Sequence, residues 1–299
     1  LRKKTDVRRR RPRSRKRRKN LRVVVSEGVG FCYGVKRAIK MALESALKSD
    51  KPVYSLGPLI HNPQVVERLK EKGVKPLTRL RKAGGAGGAV VIRSHGVSPE
   101  DADAARRKGY DIIDATCPFV RKAQENARRI SDMGYRLVVV GERKHPEVKG
   151  ILGQVSRGAV VVENVRQAKA LKFGERVGII AQTTVPIDIF SSIVCEIARK
   201  AREILVINTI CSETAKRQDK ARALAARVDA VLVVGGRNSA NTSRLATLCT
   251  SMCPKTYHIE TAEEIESRWF RAGSTVGVVA GASTPKWLVD NIVGRLEQL

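Results

Sequence analysis

Three cysteines of this 299-residue chain stand where an apolar run gives way to a long, helix-like stretch: Cys32 after "LRVVVSEGVGF", Cys117 after "GYDIIDAT" and Cys211 after "ILVINTI". A single cysteine so placed is by default a small buried hydrophobe. Three in equivalent places suggest thiolates converging on one soft metal centre. Structural zinc favours short local pairs such as CxxC, and the sequence has none. An iron–sulfur cluster accepts ligands scattered through a chain, and three thiolates on a cubane leave one iron open to a substrate. The other cysteines read differently. Cys195, in "SSIVCEIARKA", falls at helical spacing as a core thiol. Cys249 and Cys253, in "LCTSMCPKTYHI", sketch a zinc site with His258 but lack a fourth ligand, so they read as ordinary thiols.

Histidine is scarce: three of the four lie in the loops of one recurring pattern. After each cysteine and its helical stretch comes a strand-like run with a polar end: "VYSLGPLIHN", "LVVVGERKHPE" and "AVLVVGGRNSAN". A further helix leads to a second such run: "AVVIRSHGVSP", "VGIIAQTTVP" and "TVGVVAGASTP". Counted from its cysteine, the first loop lies 29 residues on at His61, 28 at His145 and 28 at Ser239; the second lies 63 on at His95, 66 at Thr183 and 72 at Ser283. Three copies of one pattern are an internal repeat. Together with Thr184 and Asn241, these side chains predict a donor-rich, mostly uncharged pocket suited to phosphate oxygens. Within "HPE", Glu147 adds a carboxylate that could hand a proton to a bound diphosphate ester. Taken alone, it reads rather as a surface salt bridge at a helix start.

Strands alternating with helices imply parallel sheets, whose ligand sites gather beyond the carboxyl ends of the strands. Every polar loop above follows such an end. Three lobes around a pseudo-threefold axis would aim them at one centre, with two helices per lobe outside. The repeat divides the chain into a basic tail at 1–20, an N-terminal strand and first cysteine at 21–33, and lobes at 34–116, 117–208 and 209–299. The run "GGAGGA" at 84–89 reads as a flexible surface connection before a strand.

Composition sets the outer bounds. Apolar runs are too short to span a membrane, and no apolar h-region follows the basic N-terminus. Six cysteines without dense pairing fit a reducing compartment, the cytoplasm, or a plastid if the basic arm is a targeting remnant. Of the net charge of +29, residues 1–20 carry +12, with 13 Lys and Arg against one Asp, and read as a disordered, solvated tail. The rest remains basic, which suits an anionic substrate. With 4% aromatic residues, a stacking platform for nucleic acid is poorly supported, so RNA contact is confined to the tail.

In order, "GFCYGVKRAI", "HNPQVVERL", "SHGVSP", "DATCP", "HPEVKGILGQ", "QTT", "NTIC", "RQ", "NSAN" and "AGASTP" resemble the LytB (IspH) family of 4-hydroxy-3-methylbut-2-enyl diphosphate reductases, from about Val23 to the C-terminus. The resemblance implies a trefoil of three α/β lobes around a central cluster. It implies that Cys32, Cys117 and Cys211 hold a 4Fe–4S cluster with an open iron. His61, His95 and His145 would line the diphosphate pocket with Thr184, Ser239, Ala240, Asn241 and Ser283. Thr183 would contact the substrate hydroxyl, and Glu147 would feed protons towards it. The implied reaction is reductive dehydroxylation to isopentenyl and dimethylallyl diphosphate, the last step of the non-mevalonate pathway. Electrons would come from a ferredoxin or flavodoxin. Two departures stand out: Ala240 replaces the second serine of the family's "NSSN", and Glu142 stands where a histidine is common. The alternative from another class is a basic RNA-associated protein whose cluster is structural or sensing.

Overall fold

The computed structural model describes residues 20–77, 88–156, 158–172 and 174–299. The basic tail therefore lies outside the described residues up to its last position, and so do residues 84–87 of "GGAGGA"; the last two residues of that run, Gly88 and Ala89, belong to a strand rather than to a connection. The chain opens with β1 (Arg22–Val25) and passes through Cys32 into α1 (Tyr33–Lys48). Then follow β2 (Val53–Leu56), α2 (Pro63–Glu71), β3 (Val74–Leu77), β4 (Gly88–Ile92), α3 (Pro99–Arg107) and β5 (Tyr110–Asp114). Beyond Cys117 come α4 (Pro118–Asp132), β6 (Arg136–Val140), α5 (Pro146–Leu152), β7 (Val160–Val162), α6 (Val165–Ala170), β8 (Arg176–Ala181), α7 (Ile187–Ala198) and β9 (Glu203–Val206). Beyond Cys211 come α8 (Ser212–Ala225), β10 (Ala230–Val234), α9 (Ala240–Met252), β11 (Thr256–Ile259), β12 (Thr275–Ala280) and α10 (Lys286–Glu297).

These strands form three four-stranded sheets, all parallel, in the orders β3-β2-β4-β5, β7-β6-β8-β9 and β11-β10-β12-β1. The orders match once β1 is seen to do for the third sheet what β5 and β9 do for the first two. It pairs with β12 in the register Arg22↔Thr275 to Val25↔Val278. Each cysteine thus sits where the edge strand of one sheet hands the chain to the first helix of the next lobe. The most central strands are apolar because helices cover both faces: all of β4 and β10 is buried, as is β12 after its first residue. In the third sheet, Leu232 and Val278 face one core with α10, and Val231 and Val279 face another with α8 and α9. The expectation of two helices per lobe is too small, since each lobe carries at least three. The extra strands β3, β7 and β11 are short edge pieces.

Candidate active site

Each cysteine is the residue before a helix, with extended or near-extended backbone at Cys32, Cys117 and Cys211. The strand ends and helix starts that place them are equivalent, and all three line one central cavity. Burial pushes the Cys32 and Cys117 thiols up, while backbone N–H groups at the helix starts (Gly34 and Val35, Phe119 and Val120) pull them back. Crowding is relieved at one residue. A Cβ on Gly34 would lie 2.5 Å from the Cys117 Sγ, so only glycine lets these two helix starts approach. The donor set is three sulfurs at three helix N-termini, with no carboxylate among the equivalent positions. Soft thiolates lining one cavity fit an iron–sulfur centre better than a hard cation.

On the wall opposite stand the imidazoles. His61 and His95 line the cavity; His145 completes their cluster from just outside it, with ring centroids 4.4, 5.7 and 5.5 Å apart. Their nearest nitrogens lie within 4.8 Å of one another, a spacing open to a metal ion or to the oxygens of one anion. The neighbouring charges decide. Arg93 and Arg244 both bear on this cluster, and their positive field opposes a cation and favours an anion. Burial, aided by Arg93, takes His61 down to about 4, and burial with His61 and Arg244 takes His145 down to about 3. Burial also holds His95 well below its ordinary value, with His61, His145 and Arg93 adding to the effect. The imidazoles are thus neutral near pH 7, with one N–H each to donate. Nε2 of His61 and Nδ1 of His95 are buried without a partner, as are both amide atoms of Asn241. Nδ1 of His145 accepts the Glu147 backbone N–H at 3.1 Å, which puts the ring's own proton on Nε2.

Glu147 is 1% exposed. Its Oε1 accepts the Thr183 N–H at 2.6 Å and its Oε2 accepts the Thr183 hydroxyl at 2.9 Å. Burial raises this carboxyl to about 6, against the pull of Thr183 and the more distant Arg244. A surface salt bridge is excluded; this is a buried acid tuned towards neutrality. When the carboxyl is protonated it can donate to the Thr183 oxygen, freeing the threonine proton for a ligand in the cavity.

Ser239, Asn241 and Ser283 line the cavity, whereas Ala240 does not. Thr184 lines it too, but its hydroxyl oxygen already accepts from Arg244 Nη1 at 2.5 Å and from Gln182 Nε2 at 3.3 Å. Arg244 also reaches Gln182 Oε1 at 3.2 Å and Glu142 at 2.9 Å, so α9 of the third lobe is tied to the second. The cavity lining is itself mostly uncharged, and Arg93 and Arg244 add positive charge from behind it. Arg93 precedes "SH" directly and was findable from the sequence; Arg244, deep in a helix, carries no local signal. Cys195 is exposed rather than a core thiol, because α7 turns Phe190, Ile193 and Ile197 inward and leaves position 195 on the outer face. Cys249 and Cys253 are buried in the third lobe's core, and His258 Nε2 is 2.8 Å from the Gly235 carbonyl oxygen.

A three-lobed parallel α/β protein that brings three thiols, a buried acid and an anion-receptive imidazole cluster into one cavity defines a class of redox-capable phosphate-ester enzyme. Residues 23–297 match the LytB protein family, and the chain belongs to it. The 4-hydroxy-3-methylbut-2-enyl diphosphate reductase of Geobacter metallireducens is 48% identical over 93% of this chain and 98% of its own length. That of Aquifex aeolicus is 46% identical over 93% and 96%. A solved structure of this reductase, described as the terminal enzyme of the non-mevalonate pathway, is 45% identical with a TM-score of 0.67 over 93% of this chain and all of its own. The Plasmodium falciparum reductase is 25% identical with a TM-score of 0.87, covering 92% of this chain and 87% of its own. The trefoil α/β fold and the reductase reading expected from the sequence are borne out; these relatives lend no support to the RNA-associated alternative or to a plastid setting. Among the described residues no helix is long and apolar enough to cross a membrane.

Proposed function

We propose that this chain reduces 4-hydroxy-3-methylbut-2-enyl diphosphate to isopentenyl and dimethylallyl diphosphate. The observation that carries the chemistry is the buried Glu147–Thr183 pair in the same cavity as three thiols and the imidazole cluster. Cys32, Cys117 and Cys211 would hold a 4Fe–4S cluster, leaving one iron without a protein ligand. When bound, that cluster supplies the two electrons and the Lewis-acid site for the departing hydroxyl. The residues do the rest. His61, His95 and His145 donate N–H groups to the diphosphate, with Asn241, Ser239 and Ser283 on the third lobe's side and Arg93 and Arg244 supplying the field. Thr184 acts by holding Arg244, and Ala240 offers at most a backbone N–H.

The balance requires two electrons and two protons: one proton leaves with the hydroxyl as water, and one completes the C–H bond of the product. Glu147, with its carboxyl raised to about 6, is the acid for the first, relayed by the Thr183 hydroxyl. An acidic ferredoxin or flavodoxin is the donor that the basic chain suits. A reducing, cytoplasmic setting suits its six free cysteines. Anaerobic purification with iron and sulfide determination, followed by turnover with an artificial reductant, tests the reading. Brown protein that converts the diphosphate supports it; colourless protein that cannot be reconstituted would sink it.

A further inference from the structure

The pseudo-threefold symmetry makes the seams between lobes comparable, and one of them differs. At the first seam Arg37 of α1 donates from Nη1 to the Thr116 carbonyl, one residue before Cys117, at 3.1 Å. At another, Arg217 of α8 donates from Nη2 to the Gly30 carbonyl, two residues before Cys32, at 2.8 Å. On α4 the basic side chain at the offset of Arg37, five residues past its cysteine, is Lys122. It turns instead to Glu125 on its own helix, at 3.8 Å. No such clasp closes the segment before Cys211 among the described residues. Here α4 and the chain after β9 leave a groove of about 610 Å³ between them.

The groove abuts the segments that carry Cys117 and Cys211, although neither cysteine lines it. Phe119, two residues from Cys117, lines both the groove and the central cavity; Ile210 and Ser212, on either side of Cys211, line the groove. Its lining mixes apolar with polar side chains and is open to solvent, with Phe119 39% and Met133 44% exposed. Lys122 and Arg129 line the same groove and are exposed. Exposed apolar side chains beside two cations of α4 complement an acidic protein surface that carries an apolar patch.

We infer that this open seam between α4 and the β9–Cys211 segment is where an acidic one-electron carrier protein docks. The inference rests on the reductase reading, which needs two electrons from outside the chain. Electron transfer weakens steeply with distance, so a carrier must seat where the cover over the thiols is thinnest. Two seams are clasped by an arginine; the third has no such clasp among the described residues, and Phe119 lines both its groove and the central cavity.

The test uses the full chain with its cluster in place. A Lys122→Glu/Arg129→Glu double variant is compared with wild type and with Lys48→Glu/Lys51→Glu, a reversal of equal charge at the far end of α1. Turnover is driven either by reduced methyl viologen or by a reduced acidic [2Fe–2S] ferredoxin. The groove variant should match wild type with viologen, while its KM for ferredoxin rises ~10-fold and loses most of its salt dependence. An unchanged ferredoxin KM overturns the site, as does an equal rise in the control pair or a parallel loss with viologen. Unchanged KM with loss of a dimer on gel filtration would hand the groove to a second copy of this chain. Wild type inactive with viologen would sink the reductase reading, and the docking site with it.

Discussion

The thiol side and the polar side of the central cavity are built on the same threefold repeat, yet they have diverged to different degrees. Cys32, Cys117 and Cys211 occupy one position three times over, each just ahead of a helix after an edge strand. The polar wall repeats the positions but not the chemistry. The first lobe contributes imidazoles at both loops, the second an imidazole with a buried acid and a hydroxyl, and the third hydroxyls and an amide. A nearly isotropic metal–sulfur centre tolerates, and profits from, equivalent ligands. A substrate with a charged end and a reacting end does not: one lobe must grip, another must give protons. Divergence among repeats thus marks the asymmetric ligand, and retained identity marks the symmetric one.

The sharpest break of that comparison is at the thiols. Serine at any one of Cys32, Cys117 or Cys211 should abolish turnover and strip iron, by similar amounts, since the positions are equivalent. Serine at Cys195, Cys249 or Cys253 should leave iron content unchanged. Iron and sulfide assays on all six variants decide; unequal losses within the first set would mean the symmetry is only geometric.

On the polar side, single roles should fail singly. Glu147→Gln keeps the size and accepts the Thr183 N–H, but cannot deliver a proton. Its expected cost is roughly 100- to 10,000-fold in turnover, with an intact cluster spectrum and near-normal diphosphate affinity. Wild-type speed would remove the acid role, whereas affinity falling with rate would make Glu147 a binding group.

Much of this was legible beforehand because the repeat multiplies weak signals. "AVVI", "LVVV" and "AVLVV" mark strands buried on both faces, and the loops after them carry nearly the whole pocket. What was not legible is edge material and distant partners. β3 is "VKPL", with a proline that only an edge strand admits; β7 has three residues, too few for a period. β1 lies 250 residues from its partner β12, so no local pattern announces it as the closing strand of the third sheet. Arg244 looks like any helix arginine until the fold brings α9 against Gln182 and Glu142. Cys195 was misplaced for a related reason: α7 is apolar on most sides, and its spacing does not say which side faces the sheet.

The same contrast has a pH signature. His61 and His145 are held near 4 and 3 in the folded chain, below the ordinary 6.5. As pH falls below 6.5 the unfolded chain takes up these protons first. Stability present above that value is therefore lost progressively as pH falls towards 4 and 3, by several kcal/mol in all. Glu147 works the other way. With its folded value raised from 4.5 to about 6, it favours the fold most below 4.5 and loses that contribution, ~2 kcal/mol, as pH rises through 6. Urea midpoints from pH 4 to 8 should show the acid-side loss shrink in His145→Gln, and the loss through pH 6 vanish in Glu147→Gln. An unaltered curve in either would mean that residue does not carry the linkage. Inorganic diphosphate should protect most on the acid side, because a bound anion raises imidazoles that burial has lowered.

The smallest expected effect lies at the rim, at Glu142. Its carboxylate pairs with Arg244 at 2.9 Å; the arginine is largely buried and the glutamate half exposed. Such a pair contributes little stability, ~1 kcal/mol or less after screening. Its consequence is electrostatic: Arg244 lowers the Glu147 carboxyl, and Glu142 partly neutralises Arg244. Glu142→Gln should therefore unmask the arginine and make Glu147 a stronger acid. Activity that needs protonated Glu147 falls as pH rises through its value, so that fall should begin at lower pH in the variant. At pH 7 turnover should drop only a few-fold, since a partial change in one neighbouring charge is worth well under a pK unit across a half-exposed pair. A pH–rate profile with the artificial reductant reads the shift without involving a docking partner. A fall beginning at higher pH would reverse the sign and show that Glu142 acts on Glu147 by some path other than Arg244. No shift, with Glu147→Gln still severely impaired, would leave the acid in place and reduce the Glu142–Arg244 pair to a tie between the second and third lobes.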